Sequence, residues 1–438
     1  MNRHLHHRHF GISVAEMSAV SQHSDHVFSP KRIDLQLEPI QVAAGLRHLP
    51  GLVFFDSAGN LPSRRSSAVS IIAARPVEIV RGMIGDEKDV GRLRDTLASF
   101  RMHHPSLGFP MGGACGWVDY EGMYCFGIYP EMLVYQHDCK QWWQTGDLAD
   151  SIVSGVCVDK KLSIGSFQAS MTQEEYECGV RCIHDYIAAG DIYQVNLTQR
   201  FRADCGGGSL FPLYEKLRVD SPAPLAAWMQ LGEREVLSSS PETFLRMSGR
   251  YVETRPIKGT RPRGDDEDSD RVAADSLLGS EKENAELVMI TDLERNDLGQ
   301  VCDFGTVRVA EMLTLEKLEQ VYHLVSTVTG TLREGVDHLQ ALAACFPGGS
   351  ITGAPKKRAM EIIAELETVP RGLYTGAIGY IGFNGESQFN IPIRTLVKEA
   401  GQLEYHVGAG IVIDSDPAAE YQETLDKAKG IRLALDRF

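Results

Sequence analysis

Arg234-Glu-Val-Leu-Ser-Ser-Ser-Pro-Glu-Thr-Phe-Leu-Arg-Met-Ser-Gly-Arg-Tyr-Val-Glu-Thr254 packs three β-like runs, 234–237, 244–247 and 251–254, into one short stretch broken only by turn residues. Strands that follow one another with no helix between them fit antiparallel pairing, whereas a doubly wound fold needs a regular strand–helix–strand beat. Outward from this stretch the pattern persists. Apolar runs at 52–55, 69–73, 131–135 and 152–156 are bounded by Gly, Pro, Asp and Ser and read as strands. Residues 89–100 and 172–189 have helical composition. No repeat with a period of about 20–50 residues is present. The class is therefore α+β. The most Gly-dense run, Cys205-Gly-Gly-Gly-Ser209, is too short for a linker and lies between an expected strand and an expected helix. One large interwoven unit is expected despite a length of 438 residues.

A formal charge of −15 argues against nucleic acid or an anionic membrane surface as the main partner, since both reward clustered Lys and Arg. A small anionic substrate is compatible with it, because a local group of cations can hold one inside an acidic protein. No apolar run approaches the roughly 18 residues of a membrane helix. Met1 to Phe10 is rich in His and Arg, no secretory-type apolar segment follows it, and it reads as a polar terminus. The nine Cys show no CxxC pair. Cys178 and Cys182, one helical turn apart near His184, are expected to pack a helix rather than bind zinc. Free thiols without an export signal point to the cytoplasm.

Two glutamate pairs stand out. Glu283 and Glu286, and far away Glu420 and Glu423, each lie at i, i+3 in segments of helical composition, so each pair occupies one helix face. Two such faces meeting across a cleft would gather four like charges and require a counter-ion. Oxygen donors suit Mg²⁺, which keeps a few carboxylates and leaves positions for water and substrate. The same spacing also describes solvated helix faces, and spacing alone does not show that the helices meet.

The C-terminal two-thirds resembles the chorismate-utilising enzymes, which include anthranilate, aminodeoxychorismate, isochorismate and salicylate synthases. The matching blocks run in family order: Gly190-Asp-Ile-Tyr-Gln-Val-Asn-Leu-Thr-Gln-Arg-Phe201, Ser238-Ser-Ser-Pro-Glu242, Thr254-Arg-Pro-Ile-Lys-Gly-Thr-Arg-Pro-Arg-Gly264, Glu283-Asn-Ala-Glu286, Thr291-Asp-Leu-Glu-Arg-Asn-Asp-Leu-Gly299, Tyr322-His-Leu-Val-Ser326, Phe346-Pro-Gly-Gly-Ser-Ile-Thr-Gly-Ala-Pro-Lys356, Ile391-Pro-Ile-Arg-Thr395 and Gly408-Ala-Gly410 followed by residues 420–427. The resemblance implies a large two-sheet antiparallel sandwich flanked by helices, with the site between the sheets. It implies a catalytic, chorismate-binding part over 166–438 and a first part over 1–165 like the N-terminal region of anthranilate synthase component I, the two interwoven.

Residue by residue, the resemblance assigns Glu286 and Glu423 to Mg²⁺, with Glu283 and Glu420 close behind, the ion neutralising the ring carboxylate of chorismate. It assigns Tyr374, Arg394 and the backbone of Gly408, Ala409 and Gly410 to the enolpyruvyl carboxylate and Lys427 to a further carboxylate contact. Thr260 and His323 are additional site residues, His323 on the ring-carboxylate side. Arg offers a planar fork to a carboxylate, and close approach to backbone N–H groups favours Gly. Glu242 matches the general acid. Lys258 stands where anthranilate-forming relatives carry Ala and aminodeoxychorismate-forming relatives carry a nucleophilic lysine. Burial near Mg²⁺ and Lys427 is expected to favour its neutral form. Gln194 stands where isochorismate and salicylate formers carry a water-activating lysine.

These positions imply amination of chorismate at carbon 4, toward 4-aminobenzoate and folate. Anthranilate formation is the alternative. A non-catalytic binding or regulatory role is disfavoured because Glu242, Lys258, Glu286 and Glu423 are all present. The blocks leave no space for a glutaminase domain or a pyridoxal-phosphate lyase, so ammonia from a separate glutamine amidotransferase subunit and a separate lyase are expected partners. Cys115, in Gly112-Gly-Ala-Cys-Gly-Trp117, reads as a core thiol rather than a glutaminase nucleophile. Phe55-Asp-Ser-Ala58 resembles part of the tryptophan pocket of anthranilate synthases, but Ser66-Ser-Ala-Val-Ser-Ile-Ile72 lacks the Gly-Arg-Tyr/Phe start of its partner segment. This counts against tryptophan binding and leaves Asp56-Ser57 as a turn.

Overall fold

The computed structural model describes residues 29–57, 68–100, 107–155, 160–220, 222–318 and 320–436. Met1–Phe10, Ala58, Ser66–Ser67 and Val156, on which some of the expectations above rest, lie outside the described residues. Among those described, the strands form two antiparallel sheets of 13 and 10 strands; off the main path, Ser163–Ile164 and Gly353–Ala354 pair with Gln194–Gly206 in the first, and Arg308–Lys317 pairs with Val321–Thr331 in the second. The larger sheet runs, in spatial order, Lys31–Ile33, Gln141–Thr145, Met132–Gln136, Val69–Ala73, Val53–Asp56, Leu225–Leu231, Arg234–Ser240, Thr395–Glu399, Gln402–Ile411, Gln194–Gly206 and Gln168–Ala169. The smaller runs Ile257–Pro262, Val321–Thr331, Tyr251–Arg255, Thr243–Ser248, Glu386–Asn390, Ala377–Gly382, Gly113–Val118, Met123–Tyr129 and Glu78–Met83. Each sheet joins a block of strands from before residue 165 to a block from after it: Val53–Asp56 pairs with Leu225–Leu231 in the larger, and Gly113–Val118 with Ala377–Gly382 in the smaller.

The layering follows from strand periodicity. In Leu225–Leu231, Ala226 and Trp228 join an apolar cluster with the Phe211–Asp220 and Pro417–Asp436 helices, while Ala227 and Met229 point the other way. The second pair packs against Trp117, Ile378 and Tyr380 of the smaller sheet, which closes the sandwich. The outer face of the smaller sheet is covered by Leu93 of the Glu87–Ser99 helix, Leu298 of Glu281–Gly299 and Leu342 of His338–Cys345. The order is helices, sheet, sheet, helices, the expected α+β sandwich. Side chains at i and i+2 of one strand thus serve one interface and their neighbours the other.

Two local expectations are corrected. The run at 234–237 does not pair with 244–247, although 243–248 and 251–255 do pair antiparallel. Arg234–Ser240 belongs to the larger sheet and Thr243–Ser248 to the smaller, so the chain crosses between them at Pro241-Glu242. Pro241 offers no N–H to continue a ladder. The Ser240 hydroxyl donates to Ile391 O at 2.6 Å, and Ile391 N–H donates to Glu242 O at 3.1 Å, which pins the crossing. Residues 152–155 form no strand. Ile152 ends a short 3₁₀ turn, Leu148–Ser151, and Val153 N–H donates to Gly45 O at 3.2 Å, so this apolar pair docks on the Pro39–Leu46 helix instead. Cys115 is buried in the sandwich, as expected, whereas Cys178 is exposed and lies beside the half-buried Cys182.

Behind the second half of the sandwich one cation ties several elements together. Arg371 is 2% exposed, yet its guanidinium bonds Glu367 through Nη2 at 2.7 Å, Ile351 O at 3.0 Å and Asn196 O at 2.9 Å. Glu367 in turn accepts Thr198 N–H at 3.0 Å. Burial opposes the charge, but Glu367 overrides it and holds the guanidinium above its ordinary pKa. Removing one partner of such a pair leaves the other buried and uncompensated. Replacing Arg371 with Met is expected to cost roughly 3–5 kcal/mol in chemical denaturation, far more than loss of an exposed pair such as Arg271–Asp268.

Candidate active site

The Ile257–Pro262 strand lies at the edge of the smaller sheet against Val321–Thr331, and its register skips at Gly259. Gly259 has φ +78°, and a Cβ there would stand 2.7 Å from Leu277 and 3.0 Å from the Glu283 carboxylate. The kink re-aims the neighbouring side chains. Lys258 points to the Glu281–Gly299 helix, with Nζ 3.7 Å from Glu286 Oε2 and both side chains largely buried. On the other side of the kink Thr260 Oγ1 is 2.9 Å from His323 Nδ1.

Glu242, at the crossing between sheets, is 5% exposed and its Oε1 has no partner among the described residues. Burial pushes its carboxyl above the usual range, while Ser350, Lys258 and the Ile257 N–H pull it back. A buried acid held toward its protonated form beside an amine is a proton donor by construction. Lys258 also acts electrostatically on Glu423, so one cation faces carboxyls from the sheet crossing and from both acidic helices.

The two acidic faces do approach each other. Lys282, on the same helix as Glu286, acts on both Glu420 and Glu423 of the Pro417–Asp436 helix. The four carboxylates are nevertheless unequal. Glu283 is taken by Arg261, with Nη1–Oε1 2.9 Å and Nη2–Oε2 3.2 Å. Glu420 is 5% exposed, accepts the Ser415 hydroxyl at 2.6 Å, and is pushed up in pKa by burial. Glu423 is half-exposed and pairs with Lys427 at 2.7 Å. Burial raises it, but Lys427, Lys282 and Lys258 outweigh that and hold it below its ordinary value. Among the described residues no three His, Cys, Asp or Glu side chains converge as a metal cluster. Glu286 and Glu423 are the pair left facing the cleft, and two hard oxygen donors with open positions fit the coordination habit of Mg²⁺.

Arg394 adopts φ +52°, sparsely populated for a side chain of this size, and its carbonyl accepts Ser239 N–H at 3.1 Å. The guanidinium opens on a small recess of ≈ 60 Å³ shared with His323, Pro241, Leu318 and Val321. The residue keeps an exposed surface, while desolvation lowers its pKa and no carboxylate acts against it. Arg394 and burial together hold His323 down to about 4, so the imidazole is neutral, and its Nε2 is buried without a partner. An uncompensated guanidinium beside an unpaired ring nitrogen is a place for an anion. Tyr374 stacks on His406, with centroids 5.3 Å apart and planes at 13°.

Two site expectations are refined. Gly408 and Gly410 lie opposite Thr198 and Asn196, and a Cβ would meet Thr198 at 2.6 Å and Gln194 Nε2 at 2.3 Å respectively. The space that glycine provides is thus already used by the neighbouring strand, with Ala409 between them in the core. Lys427 donates to Gly408 O at 2.8 Å, bracing this strand as well as Glu423. Gln194 is fully buried with both amide atoms unpaired. Asp56 shapes no turn: it is buried and accepts Ser70 Oγ at 2.9 Å, Tyr214 OH at 3.1 Å and Arg218 Nε at 2.5 Å. Sequence reasoning missed Arg261, Lys282, Glu294, Ser350 and His406. All but Lys282 and His406 lie inside the quoted blocks, yet only three-dimensional packing tells them from their neighbours.

Residues 116–432 match the family model described as chorismate binding enzyme. The chain belongs to the chorismate binding enzyme family. It is 36% identical over 429 residues to aminodeoxychorismate synthase component 1 of Bacillus subtilis strain 168, covering 86% of this chain and 91% of that protein. It is 46% identical over 273 residues to an anthranilate synthase component 1 of Haloarcula marismortui, covering 62% of this chain and 55% of that one. The crystal structure of anthranilate synthase component I from Streptococcus pneumoniae TIGR4 superposes with a TM-score of 0.73 at 30% identity, over 84% of this chain and 93% of that one. Family membership gives the recess at Arg394 its context, and among the described residues no helix is long and apolar enough to cross a membrane.

The buried neutral histidines carry a pH signature. His323 is held at about 4 and His406 at about 3, both by burial first, whereas an unfolded histidine titrates near 6.5. Between those values the unfolded chain binds more protons, so stability is fully present above about pH 6.5 and is lost as pH falls toward 4. The His323 contribution is on the order of 3 kcal/mol. His323→Asn is expected to flatten the dependence of unfolding free energy on pH across that window; an unchanged slope would show that His323 is protonated in the fold.

Proposed function

We propose that this member of the family aminates chorismate at carbon 4 to give 4-amino-4-deoxychorismate, with Lys258 as nucleophile and Glu242 as acid. The observation that carries the reading is the largely buried Lys258 amine, 3.7 Å from Glu286 and acting on the buried Glu242 carboxyl. Arg394 and Tyr374 would take the enolpyruvyl carboxylate, and Thr260 and His323 the neighbouring side of the ring. Glu286 and Glu423 would hold Mg²⁺, with Glu283 and Glu420 behind them. The ion would supply positive charge to neutralise the ring carboxylate.

The atoms balance. The neutral Lys258 amine forms a bond to ring carbon 2, the ring double bonds shift, and the carbon 4–oxygen bond breaks. Hydroxide is a poor leaving group, so Glu242 gives it a proton and water departs, an assistance worth roughly 10²–10⁴-fold. Ammonia then bonds to carbon 4, the electrons return, the carbon 2–nitrogen bond to Lys258 breaks to free its neutral amine, and the new ammonium group returns its extra proton to the Glu242 carboxylate. Chorismate and ammonia become aminodeoxychorismate and water. Gln194 has no basic lone pair to activate water, which counts against hydration at carbon 2. Ammonia from a separate glutamine amidotransferase subunit, a lyase that completes 4-aminobenzoate for folate, and cytoplasmic residence belong to the same reading.

Anthranilate formation is the competing outcome, given the 46% identity to an anthranilate synthase component. Purified protein with chorismate, Mg²⁺ and ammonium is expected to give a product that yields 4-aminobenzoate only after a lyase is added. Fluorescent anthranilate without a lyase would decide for the competitor. Lys258→Ala is expected to abolish or redirect amination while leaving Mg²⁺ binding intact; the same product at the same rate would refute the nucleophilic role.

A further inference from the structure

The mechanism uses Glu242 and leaves unexplained a second buried acid on the helix that carries Glu286. Glu294 is 2% exposed and lies two turns farther along Glu281–Gly299, about 12 Å by helical rise. Its Oε1 accepts Gly349 N–H at 3.0 Å, and Thr254 Oγ1 approaches Oε2 at 3.4 Å. Gly349 opens the 3₁₀ turn Gly349–Ile351 and must be small, since a Cβ would come within 2.7 Å of Leu293 and 3.1 Å of Glu294 Oε1. The next residue, Ser350, is 4% exposed, and its hydroxyl completes no full hydrogen bond among the described residues. It nevertheless lies close enough to the Glu242 carboxyl to draw its pKa down, and Glu242 Oε1 likewise lacks a full partner. The turn is held from two other sides, by Asn196 Nδ2 on Ser350 O at 3.2 Å and by Arg371 on Ile351 O at 3.0 Å.

We propose that Glu294 is a positioning residue for the acid of the reaction: by fixing the Gly349 N–H it holds the Gly349–Ile351 turn so that the Ser350 hydroxyl faces the Glu242 carboxyl. The proposal rests on Glu242 acting as the acid. The charged and titratable groups around Glu294 are Asp297 on its own helix, Lys356 on Lys356–Leu366 and Glu242 at the sheet crossing; Cys345 of His338–Cys345 faces the same site. Lys356 is committed to Asp297 and to the carbonyls of Cys345 and Pro347 at 2.9 and 2.8 Å. Burial and Asp297 therefore keep Glu294 toward its protonated form, and Gly349 N–H and Lys356 pull against them.

Glu294→Gln keeps an acceptor for Gly349 N–H, whereas Glu294→Ala removes it, and both variants lack the charge. With saturating ammonium and chorismate consumption as readout, Glu294→Gln is expected to keep kcat within about threefold. Glu294→Ala and Ser350→Ala should each lose roughly 10–100-fold, the scale of an ångström-sized misplacement. Their double variant should lose no more than either alone. Because the Ser350 hydroxyl lowers the Glu242 pKa, the basic limb of the kcat–pH profile should lie higher in Glu294→Ala than in Glu294→Gln, and higher in Ser350→Ala than in the parent. Hydrogen exchange adds a reading independent of turnover: the Gly349–Thr352 amides should exchange faster in Glu294→Ala but not in Glu294→Gln. Additive losses, a folded Glu294→Gln that loses as much as Glu294→Ala, or equal exchange in the two would overturn the proposal. A parent enzyme that consumes chorismate but makes another product overturns only the amination reading. One that consumes none removes the reaction as a whole, and the exchange measurement still decides whether Glu294 holds the turn.

Discussion

The space between two apposed sheets excludes bulk water, so every ionisable group placed there must find a partner or change its protonation state. This chain follows that constraint closely enough that the exceptions are informative. Arg371 and Glu367 satisfy each other and several backbone groups, and they serve as a strut. Glu242 Oε1, His323 Nε2 and both Gln194 amide atoms, in or beside the cleft, are among the buried polar atoms left without a partner among the described residues. In the proposed reaction an anion would meet the Arg394 guanidinium, and a departing oxygen would meet the Glu242 acid.

The same logic sorts the four glutamates. Sequence spacing put Glu283 with Glu286 and Glu420 with Glu423 on shared helix faces, and the faces do turn toward one cleft. Spacing could not rank them. Arg261, three residues beyond Lys258 on the kinked strand, captures Glu283, and Ser415 captures Glu420 at the start of its own helix. Glu286, 3.7 Å from Lys258, and Glu423, paired with Lys427 at 2.7 Å, have lysines as partners instead.

Legibility was uneven for physical reasons. Alternation of apolar and polar residues revealed the strands and their antiparallel habit because side-chain direction is a local property of extended backbone. It could not assign strands to sheets: 234–240 and 243–248 look like a hairpin, and only Pro241 and the bonds through Ser240 and Ile391 divert the chain across the sandwich. The run at 152–155 failed as a strand because apolar composition cannot say whether a ladder or a helix flank will receive it. Lys258 and Glu242 were singled out from their blocks, and the structure brings them near each other. Glu294 and Ser350 sat in equally visible blocks, but their roles depend on a helix and a turn far apart in sequence meeting at Gly349.

That distribution bears on how one scaffold hosts several reactions. The 46% identity to an anthranilate synthase component and the 36% identity to an aminodeoxychorismate synthase component do not separate the two outcomes, because an overall identity weighs the frame and the reacting positions alike. The frame consists of the Arg371 strut, the pinned crossing at Glu242, the kink at Gly259 and the turn seated on Glu294. Each fixes the position of a side chain without dictating its chemistry. Gly259, for example, turns residue 258 toward Glu286 whatever that residue is, so exchanging the amine for a methyl group would leave the surrounding hydrogen bonds intact. Reaction choice can then rest on one side chain aimed into an otherwise unchanged cleft, while stability is carried by the groups around it.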